Sequence, residues 1–157
     1  MVTNNSINLN GVTPDFRAYV NTPVVNVIGA GASYNVIFNT VLYDSTSSYN
    51  NATGVFSAPV DGIFFFYNNV TLTNIAGHTD MLCNIRVIGG AGSRIYFNPS
   101  AFAAGGILNI SVSCIAQLVI GDMVNCDVIA NSTKTVGVDG AANASKSSFG
   151  GYLVALI

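Results

Sequence analysis

Residues 107–118 read ILNISVSCIAQL, a stretch in which apolar and polar side chains alternate. The apolar set is Leu108, Ile110, Val112, Cys114, Ala116 and Leu118. The polar set between them is Asn109, Ser111, Ser113 and Gln117, interrupted by Ile107 and Ile115. A period of two residues is typical of a β-strand with one buried face. The stretch therefore predicts a strand of a β-sandwich, and no segment of the chain shows the period of about 3.6 residues typical of an amphipathic helix.

Other runs of the chain carry the same kind of signal. Segments rich in Val, Ile, Phe, Tyr and Thr alternate with clusters of Gly, Asn, Ser and Asp, which favour turns. Strands are predicted over residues 15–21, 35–43, 54–58, 62–73, 81–89, 93–98, 107–118, 122–130 and 148–157, of which 35–43 is one long or broken strand. About nine or ten short strands without a linker between them predict one all-β domain, a sandwich or a barrel.

Two of the predicted strands are apolar on both faces. In the earlier one, Phe64 and Phe66 lie on one face, and the other face carries Ile63, Phe65 and Tyr67. The last strand also has large apolar residues on its second face, which are Tyr152, Val154 and Leu156. Soluble monomers rarely expose several large apolar side chains together. We therefore predict that another subunit covers these faces.

The charge content of the chain is low. Only 8% of its 157 residues are charged, against about 25% in an average protein. The seven acids are all Asp, and polarity comes instead from 19 Asn residues together with Ser and Thr. Such a surface favours extensive contact with other subunits or resistance to unspecific ionic contacts. Neutral drift in an Asn-rich proteome explains the composition equally well.

Charge pattern and hydropathy exclude several classes of protein. The net charge is −2 and the five basic residues are scattered, so no nucleic-acid partner is expected. The longest apolar runs, residues 63–67 and 152–157, are too short to span a bilayer, and membrane insertion is not expected. Residues 1–13 are polar and do not read as a signal peptide. We expect them to form a polar arm before a domain that spans residues 14–157.

The sequence shows no catalytic or metal-binding pattern. His78 is the single histidine, and neither a Gly-x-Ser-x-Gly elbow nor a pair of tuned carboxylates accompanies it. Asp122, Asp127 and Asp139 do not cluster as calcium ligands would. We therefore predict that the protein is not an enzyme and has no catalytic residue, no cofactor and no metal site.

The three cysteines are Cys83, Cys114 and Cys126. Their odd number and their spacing argue against a disulfide framework or a zinc site. Each lies in an apolar, strand-like segment, which indicates a small buried side chain rather than a redox or metal-binding one.

Aromatic residues near the predicted loops suggest one class of ligand. They are Tyr34, Tyr43, Tyr49, Tyr96 and Phe97. Tyr rings present an apolar face and a polar hydroxyl, which suits contact with sugars. Because Tyr is also common at the rims of β-sheets, a carbohydrate receptor and a purely structural role both stay open.

Four segments of the chain carry motifs in an order and at spacings that are known from one family. They read VIFNTVLYD at residues 36–44, YNNATGVFSAPVDGIFFFYNNV at 49–70, GGILNISVSCIAQLVIGD at 105–122 and SSFGGYLVAL at 147–156. The matching positions are Tyr49, Gly54, Phe56, Pro59, Gly62, Phe66, Leu118, Gly121, Asp122, Val124, Phe149, Gly151 and Tyr152. Phe64 stands where the family usually has Tyr. The chain thus closely resembles the globular head domain of complement C1q, within the C1q/tumour-necrosis-factor superfamily, over nearly its whole length.

Several of the matching positions have a simple structural reading. We expect Gly54 and Gly62 at turn ends where a positive φ is easily adopted. Pro59 is expected between two strands, where a missing N–H is tolerated. The Gly121-Asp122 pair predicts a tight turn into the next strand.

The resemblance implies a ten-stranded antiparallel jelly-roll β-sandwich that assembles as a homotrimer. In the family, the strands that correspond to residues 62–73, 107–118 and 148–156 lie against the threefold axis. We expect polar side chains of the second of these strands to hydrogen-bond across that axis. The candidate trimer-interface residues are Ile63, Phe65, Tyr67, Asn109, Ser111, Ser113, Tyr152, Val154 and Leu156.

The departures from the family guide the functional hypothesis. The chain has no Gly-X-Y collagen stalk before the domain and lacks the charged patches of complement and hormone members. We expect a structural or binding module on a virion surface, a capsid decoration (cement) protein or a fibre head in contact with other virion or fibre proteins. The alternative is the trimeric head of a bacterial extracellular fibre, an adhesin tip that binds host glycans. A natural start at Met1 favours decoration, and a long repetitive segment before it favours the fibre.

Overall fold

The computed structural model describes residues 11–75, 80–89, 94–101, 106–131, 135–144 and 146–157. Within these residues the chain forms thirteen β-strands and no helix. In chain order they are β1 (Asp15–Tyr19), β2 (Val24–Ile28), β3 (Ser33–Asn35), β4 (Thr40–Asp44), β5 (Tyr49–Asn50), β6 (Val55–Ser57), β7 (Gly62–Thr73), β8 (Asp80–Ile88), β9 (Arg94–Ala101), β10 (Ile107–Leu118), β11 (Met123–Asn131), β12 (Val136–Val138) and β13 (Ser148–Leu156).

The strands form two antiparallel sheets that enclose one hydrophobic core. In the seven-stranded sheet, β7 pairs with β10 on one side and with β13 and β12 on the other. β1 follows β13, and β4 and β2 close the two ends of the sheet. The six-stranded sheet has the order β5-β6-β11-β8-β9, with β3 added against β11. This arrangement confirms the all-β sandwich, and short ladders such as β3, β5 and β12 raise the number of strands above ten.

The longest pairing joins β7 and β10 over their full length, from Gly62 opposite Leu118 to Thr73 opposite Ile107. From Ile110 onward, every second residue of β10 is buried and the residues between them are exposed. β7 shows the same alternation over most of its length. The period of two residues read from the sequence is therefore confirmed in both strands, and it divides each of them into a core face and an outward face.

Aromatic rings from both sheets meet in the core. Phe16 of β1 is completely buried, and its ring centroid lies 5.0 Å from that of Tyr49 and 4.9 Å from that of Phe56. Phe149 of β13 meets the same ring edge-on at 5.1 Å. Since Phe16 and Phe149 belong to one sheet and Tyr49 and Phe56 to the other, this cluster holds the two sheets together.

Of the two alternatives for residues 35–43, one long strand or a broken one, the structure shows the broken one. β3 ends at Asn35 and β4 begins at Thr40, and these two strands belong to different sheets. Between them Val36 and Phe38 are buried, and the Phe38 carbonyl accepts a hydrogen bond from the Tyr49 hydroxyl at 3.2 Å. The ladder breaks because the chain crosses here from one sheet to the other.

Two strands of the seven-stranded sheet, β2 and β12, were not expected. They pair with each other, Val24 opposite Val138 and Ile28 opposite Val136, with a shift of register between the two pairs. β12 is only three residues long, and its partner lies far away in sequence. A local pattern carries little information about such a pairing, because the strand is stabilised by its neighbours rather than by its own periodicity.

The turn between β10 and β11 is held by two carboxylates. Asp122 accepts the backbone N–H of Val119 at 3.1 Å, and Asp61 accepts that of Ile120 at 2.7 Å. Gly121 has a φ of +88°, in the left-handed region that favours glycine. The tight turn predicted at Gly121-Asp122 is thereby confirmed.

The outcomes at the other predicted turn positions differ. Gly54 has a φ of +73°, as expected, and Pro59 lies between β6 and β7. Gly62 is the first residue of β7, at the end of a turn as expected, but its φ is not positive, so that part of the prediction is wrong. A Cβ there would lie 2.5 Å from Leu153 Cδ1 and 2.8 Å from the Ala155 carbonyl oxygen. Glycine is therefore required at this position for space.

Replacing Gly121 by Ala is expected to lower the free energy of unfolding by about 1–2 kcal/mol. A Cβ on Gly121 has no atom within 4 Å, so the loss comes from backbone conformation alone. Gly106→Ala is the matched control, because its site is equally open and its φ is not positive. Urea unfolding of both variants at one protein concentration, followed by circular dichroism, measures the difference. Equal effects of the two substitutions would contradict the prediction.

Candidate functional site

The side chains of the seven-stranded sheet that point away from the core form a surface whose polarity changes along the strands. On β7 the outward series is Ile63, Phe65, Tyr67, Asn69 and Thr71. Their neighbours on β10, in the same order, are Gln117, Ile115, Ser113, Ser111 and Asn109. We call this surface, together with the outward residues of β13, β1 and β4, the graded face. One of its ends is largely apolar and the other is polar.

The apolar end is built around an aromatic pair. The ring of Phe65 lies 5.4 Å from that of Tyr152, its neighbour on β13. Tyr152 is 46% exposed, and Ile115 on the other side of Phe65 is 62% exposed. Large apolar side chains exposed side by side in the middle of a sheet are typical of an interaction surface.

A row of residues crosses five strands at the middle of the graded face. Successive neighbours are Tyr43 of β4, Arg17 of β1, Gly150 of β13, Tyr67 of β7 and Ser113 of β10. A Cβ on Gly150 would lie 2.6 Å from the Tyr67 hydroxyl, so the absence of a side chain lets this phenol lie over β13. Burial, together with the neighbouring Tyr43, raises the pKa of Tyr67, against a lowering by Arg17. The phenol therefore stays neutral over an extended range of pH.

The polar end of the graded face is hydrogen-bonded within the chain. Asn109 donates to Thr71 Oγ1 at 2.9 Å, and Ser111 donates to Asn69 Oδ1 at 3.0 Å. Asn69 in turn donates to the Lys146 carbonyl at 2.8 Å. Bonds from Asn109 and Ser111 were expected to reach across an axis, and the structure shows them reaching the adjacent strand of the same chain.

A bulge in β13 changes which residues reach the graded face. Tyr152 lies opposite Phe65, but the register with β7 shifts at Val154. Leu156 then lies opposite Gly62. A Cβ added to Gly62 would point to the core side of the sheet, towards Phe64. The expectation that Tyr152, Val154 and Leu156 share one face is therefore wrong for Leu156, because an extra residue reverses the alternation of sides.

Side chains of the six-stranded sheet cover the free edge of β10. Arg94 of β9 donates to the Gln117 carbonyl at 2.7 Å, and the Tyr96 hydroxyl donates to the Ile115 carbonyl at 3.3 Å. Open carbonyls on an edge strand attract further strands. With these two carbonyls occupied, part of this edge is closed to a further strand.

The aromatic residues expected near loops have different environments. Tyr43 is exposed, whereas Tyr49 is buried and belongs to the core, so its expected place at a loop rim is wrong. Tyr34 and Tyr96 are partly buried, and the side chain of Phe97 lies outside the described residues. A pocket in which hydroxyl and amide groups predominate lies beside these loops, lined by residues 46–51 and 57–59.

The charged side chains that form ion pairs in the described residues do so as separate pairs and not as a cluster. Asp127 binds Arg86 at 2.8 Å, and Asp139 lies 3.4 Å from Lys146. No three His, Cys, Asp or Glu side chains come close enough to hold a metal ion in the described ranges. His78 lies outside them.

A search of the described residues for a helix with the length and hydropathy needed to cross a membrane finds none.

All three cysteines are free and buried, which confirms that they are small core side chains. Cys114 lies on the core face of β10, and burial raises the pKa of its thiol to about 11, against a smaller lowering by Arg94. Cys126 is fully buried, and burial together with the neighbouring Cys83 raises its pKa as well. The thiols of Cys114 and Cys126 are therefore held in their unreactive neutral form.

The domain is expected to lose stability as the pH rises from about 8.5 towards 11. A thiol in the unfolded chain ionises near about 8.5, whereas Cys114 in the folded state holds its proton up to about 11. The folded state therefore binds more protons in this window, and stability present below it is lost as the pH rises. Urea midpoints at pH 7.5 and 10.5 measure the loss, and Cys114→Ala is expected to reduce it. The same loss in both proteins would contradict a contribution from this thiol.

The geometry agrees with what the chain matches among known proteins. Residues 25–154 match the family model of the C1q domain. The globular domain of the zebrafish complement 1qA protein has a TM-score of 0.59 at 18% identity, covering 91% of this chain and 98% of that chain. Murine APRIL at pH 5.0 has a TM-score of 0.67 at 9% identity, covering 91% of this chain and 100% of that chain. At these identities the two structures show a shared fold.

No curated protein sequence gives a significant match. The family model nevertheless covers most of the chain, including ten of the thirteen strands in full. The chain therefore belongs to the C1q domain family.

Proposed function

We propose that the chain is a non-enzymatic structural or binding module that assembles as a homotrimer through its graded face. The observation that carries this proposal is the apolar end of the face, where Phe65 packs on Tyr152 beside the exposed Ile115. C1q domains are typically trimeric binding modules, and this supports the same reading.

Burial of the apolar end supplies the free energy for assembly. Removing one large apolar side chain from water contributes about 1.5–3 kcal/mol. Each copy brings Phe65, Tyr152 and Ile115 to the contact, and a closed ring of three copies places all of them away from water. A homo-oligomer with closed symmetry is also the commonest form of self-association.

The gradient of polarity orients the copies relative to one another. Asn69, Asn109 and Ser111 have hydrogen-bond partners in their own chain, so this end needs none from a neighbour. The opposite end has large side chains without a covering layer. We infer that the apolar end forms the dry centre of the trimer and that the polar end lies in its hydrated part.

We propose that the module lies on a virion surface, as a capsid decoration protein or a fibre head. Its low charge, 8% of residues, and its 19 Asn residues suit a surface that is partly covered by other subunits and avoids unspecific ionic contacts. The trimeric tip of a bacterial extracellular fibre is the alternative. The pocket of hydroxyl and amide groups formed by residues 46–51 and 57–59 favours a sugar as the ligand of such a tip.

Two measurements test these proposals separately. Light scattering on the purified chain tests assembly, and a stable species of 16.3 kDa at micromolar concentration would overturn the trimer. Immunogold microscopy with an antibody against the chain tests location. Regular label on virions supports the decoration protein or fibre head, whereas label on cell-borne filaments, with binding on a glycan array, supports the adhesin tip.

A further inference from the structure

Two opposite charges on β1 belong to the graded face. The core face of β1 carries Phe16 and Ala18, so Asp15 and Arg17 point outward. Asp15 lies opposite Tyr152, at the apolar end, and Arg17 lies in the next outward row opposite Gly150. Both side chains are partly buried, and the two do not form a salt bridge with each other.

Arg17 makes no salt bridge or hydrogen bond in the part of the chain that the structure describes. Its Nε atom is buried and makes no hydrogen bond. Its charge lies near the Tyr67 hydroxyl, a neutral group that does not neutralise it. The other described basic residues are occupied, because Arg86 binds Asp127, Arg94 donates to a carbonyl of β10, and Lys146 lies beside Asp139.

Asp15 is likewise the acid whose carboxylate takes no part in a hydrogen bond or salt bridge in the described residues. Only its backbone atoms bond, to the Ser45 hydroxyl. The acids that have partners within the chain are Asp44, Asp61, Asp80, Asp122, Asp127 and Asp139. One cation and one anion are thus left without partners, and both lie on the graded face.

Covering the graded face with a second copy makes these charges costly unless each meets the opposite charge. An unpaired ion that is moved out of water loses several kcal/mol of solvation. In a cyclic assembly, one patch of each copy meets a different patch of the next, so a cation and an anion on the same surface are complementary to another copy of that surface.

We infer that Arg17 of each protomer forms an ion pair with Asp15 of the partner subunit, so that the pairs close into a ring around the trimer. The inference rests on the proposed assembly through the graded face. The ring fixes the register and the direction of rotation of the copies, while the apolar end supplies most of the free energy. Tyr43 and Tyr67 flank Arg17 and limit the access of water to the pair.

A double-mutant cycle tests the ion pair. Arg17→Gln and Asp15→Asn are each expected to raise the dissociation constant of the trimer roughly tenfold or more. The double variant is expected to be no weaker than either single variant, because both remove the same interaction. Analytical ultracentrifugation over a dilution series measures all four proteins, and circular dichroism confirms that each is folded.

Charge reversal gives the complementary result. Arg17→Asp and Asp15→Arg alone are expected to yield monomers, and the combined reversal is expected to restore the trimer. Ala52→Asp, at an exposed loop position outside the graded face, is the control and is expected to leave the trimer unchanged.

The outcomes separate this inference from the proposed assembly. A monomeric wild-type protein overturns the assembly itself. A wild-type trimer in which Asp15→Asn has no effect, or in which the two single effects add, overturns only the ion pair. In particular, weakening by Arg17→Gln alone, with a dependence on whether chloride or sulfate is present, would show that a solution anion occupies Arg17.

Discussion

Replacing Phe65 by Asp is expected to convert the proposed trimer into folded monomers. Phe65 lies at the centre of the apolar end, between Tyr152 on one neighbouring strand and Ile115 on the other. Truncating a central aromatic residue of an interface commonly costs 2 kcal/mol or more, roughly a 30-fold change in affinity. A carboxylate at the same place adds the cost of burying an unpaired charge, so we expect the dissociation constant to rise at least roughly 1,000-fold.

Met123→Asp is the matched control for this substitution. Met123 is an exposed apolar residue, 41% accessible, in the six-stranded sheet rather than on the graded face. It is expected to leave the trimer intact in light scattering, and both variants are expected to keep the β-sheet signal in circular dichroism. An intact trimer with Phe65→Asp would show that the copies meet through a different surface.

The positions of the long strands in this fold can largely be predicted from local sequence, whereas the pairing of the strands into sheets cannot. The strands β7 and β10 were predicted over their whole extent, because β10 alternates apart from Ile107 and Ile115 and β7 is a long run rich in aromatic and β-branched residues. β12 has three residues and is defined by contacts with β2 and β7. Short strands of this kind form only because their neighbours in the folded protein stabilise them, and a short segment of sequence carries no information about those neighbours.

Part of the candidate site was also within reach of the sequence. The run DFRAY of β1 alternates, so burying Phe16 and Ala18 necessarily turns Asp15 and Arg17 outward. The sequence therefore predicts that Asp15 and Arg17 point outward, but it does not predict which surface they join. Only the pairing of β1 with β13 places them on the graded face. The bulge at Val154 has no comparable signal, since nothing in its residue type marks an extra position.

The core contains a polar residue that its type alone would place outside. Asn68 is buried on the core side of β7, where its amide donates to Cys126 Sγ at 2.7 Å and accepts the Val112 N–H at 2.9 Å. A buried amide is stable only if its polar atoms are bonded. The bonding groups come from β11 and β10, and only the folded topology brings them to Asn68.

The largest expected effect on stability is that of Phe16→Ala. Phe16 is completely buried, and its ring contacts Tyr49, Phe56 and Phe149 within 5.1 Å. Removing a buried Phe ring costs about 3–5 kcal/mol, from lost burial and from the cavity that remains. A domain has a total stability of about 5–15 kcal/mol, so the variant is expected to lose at least about a fifth of it.

The measurement of Phe16→Ala belongs in the monomeric Phe65→Asp background. Trimer formation stabilises the folded state by mass action, and a trimer would therefore hide part of the loss. Urea unfolding in this background is expected to show a lower midpoint with an unchanged slope. Phe16→Leu keeps much of the side-chain volume and is expected to lose clearly less, which preserves a readable result if the Ala variant does not fold. A loss below about 1 kcal/mol for Phe16→Ala would contradict the ring cluster, because a surface substitution costs no more than about half of that. A large loss in this monomeric background would show that the packing between the two sheets stabilises each protomer independently of assembly.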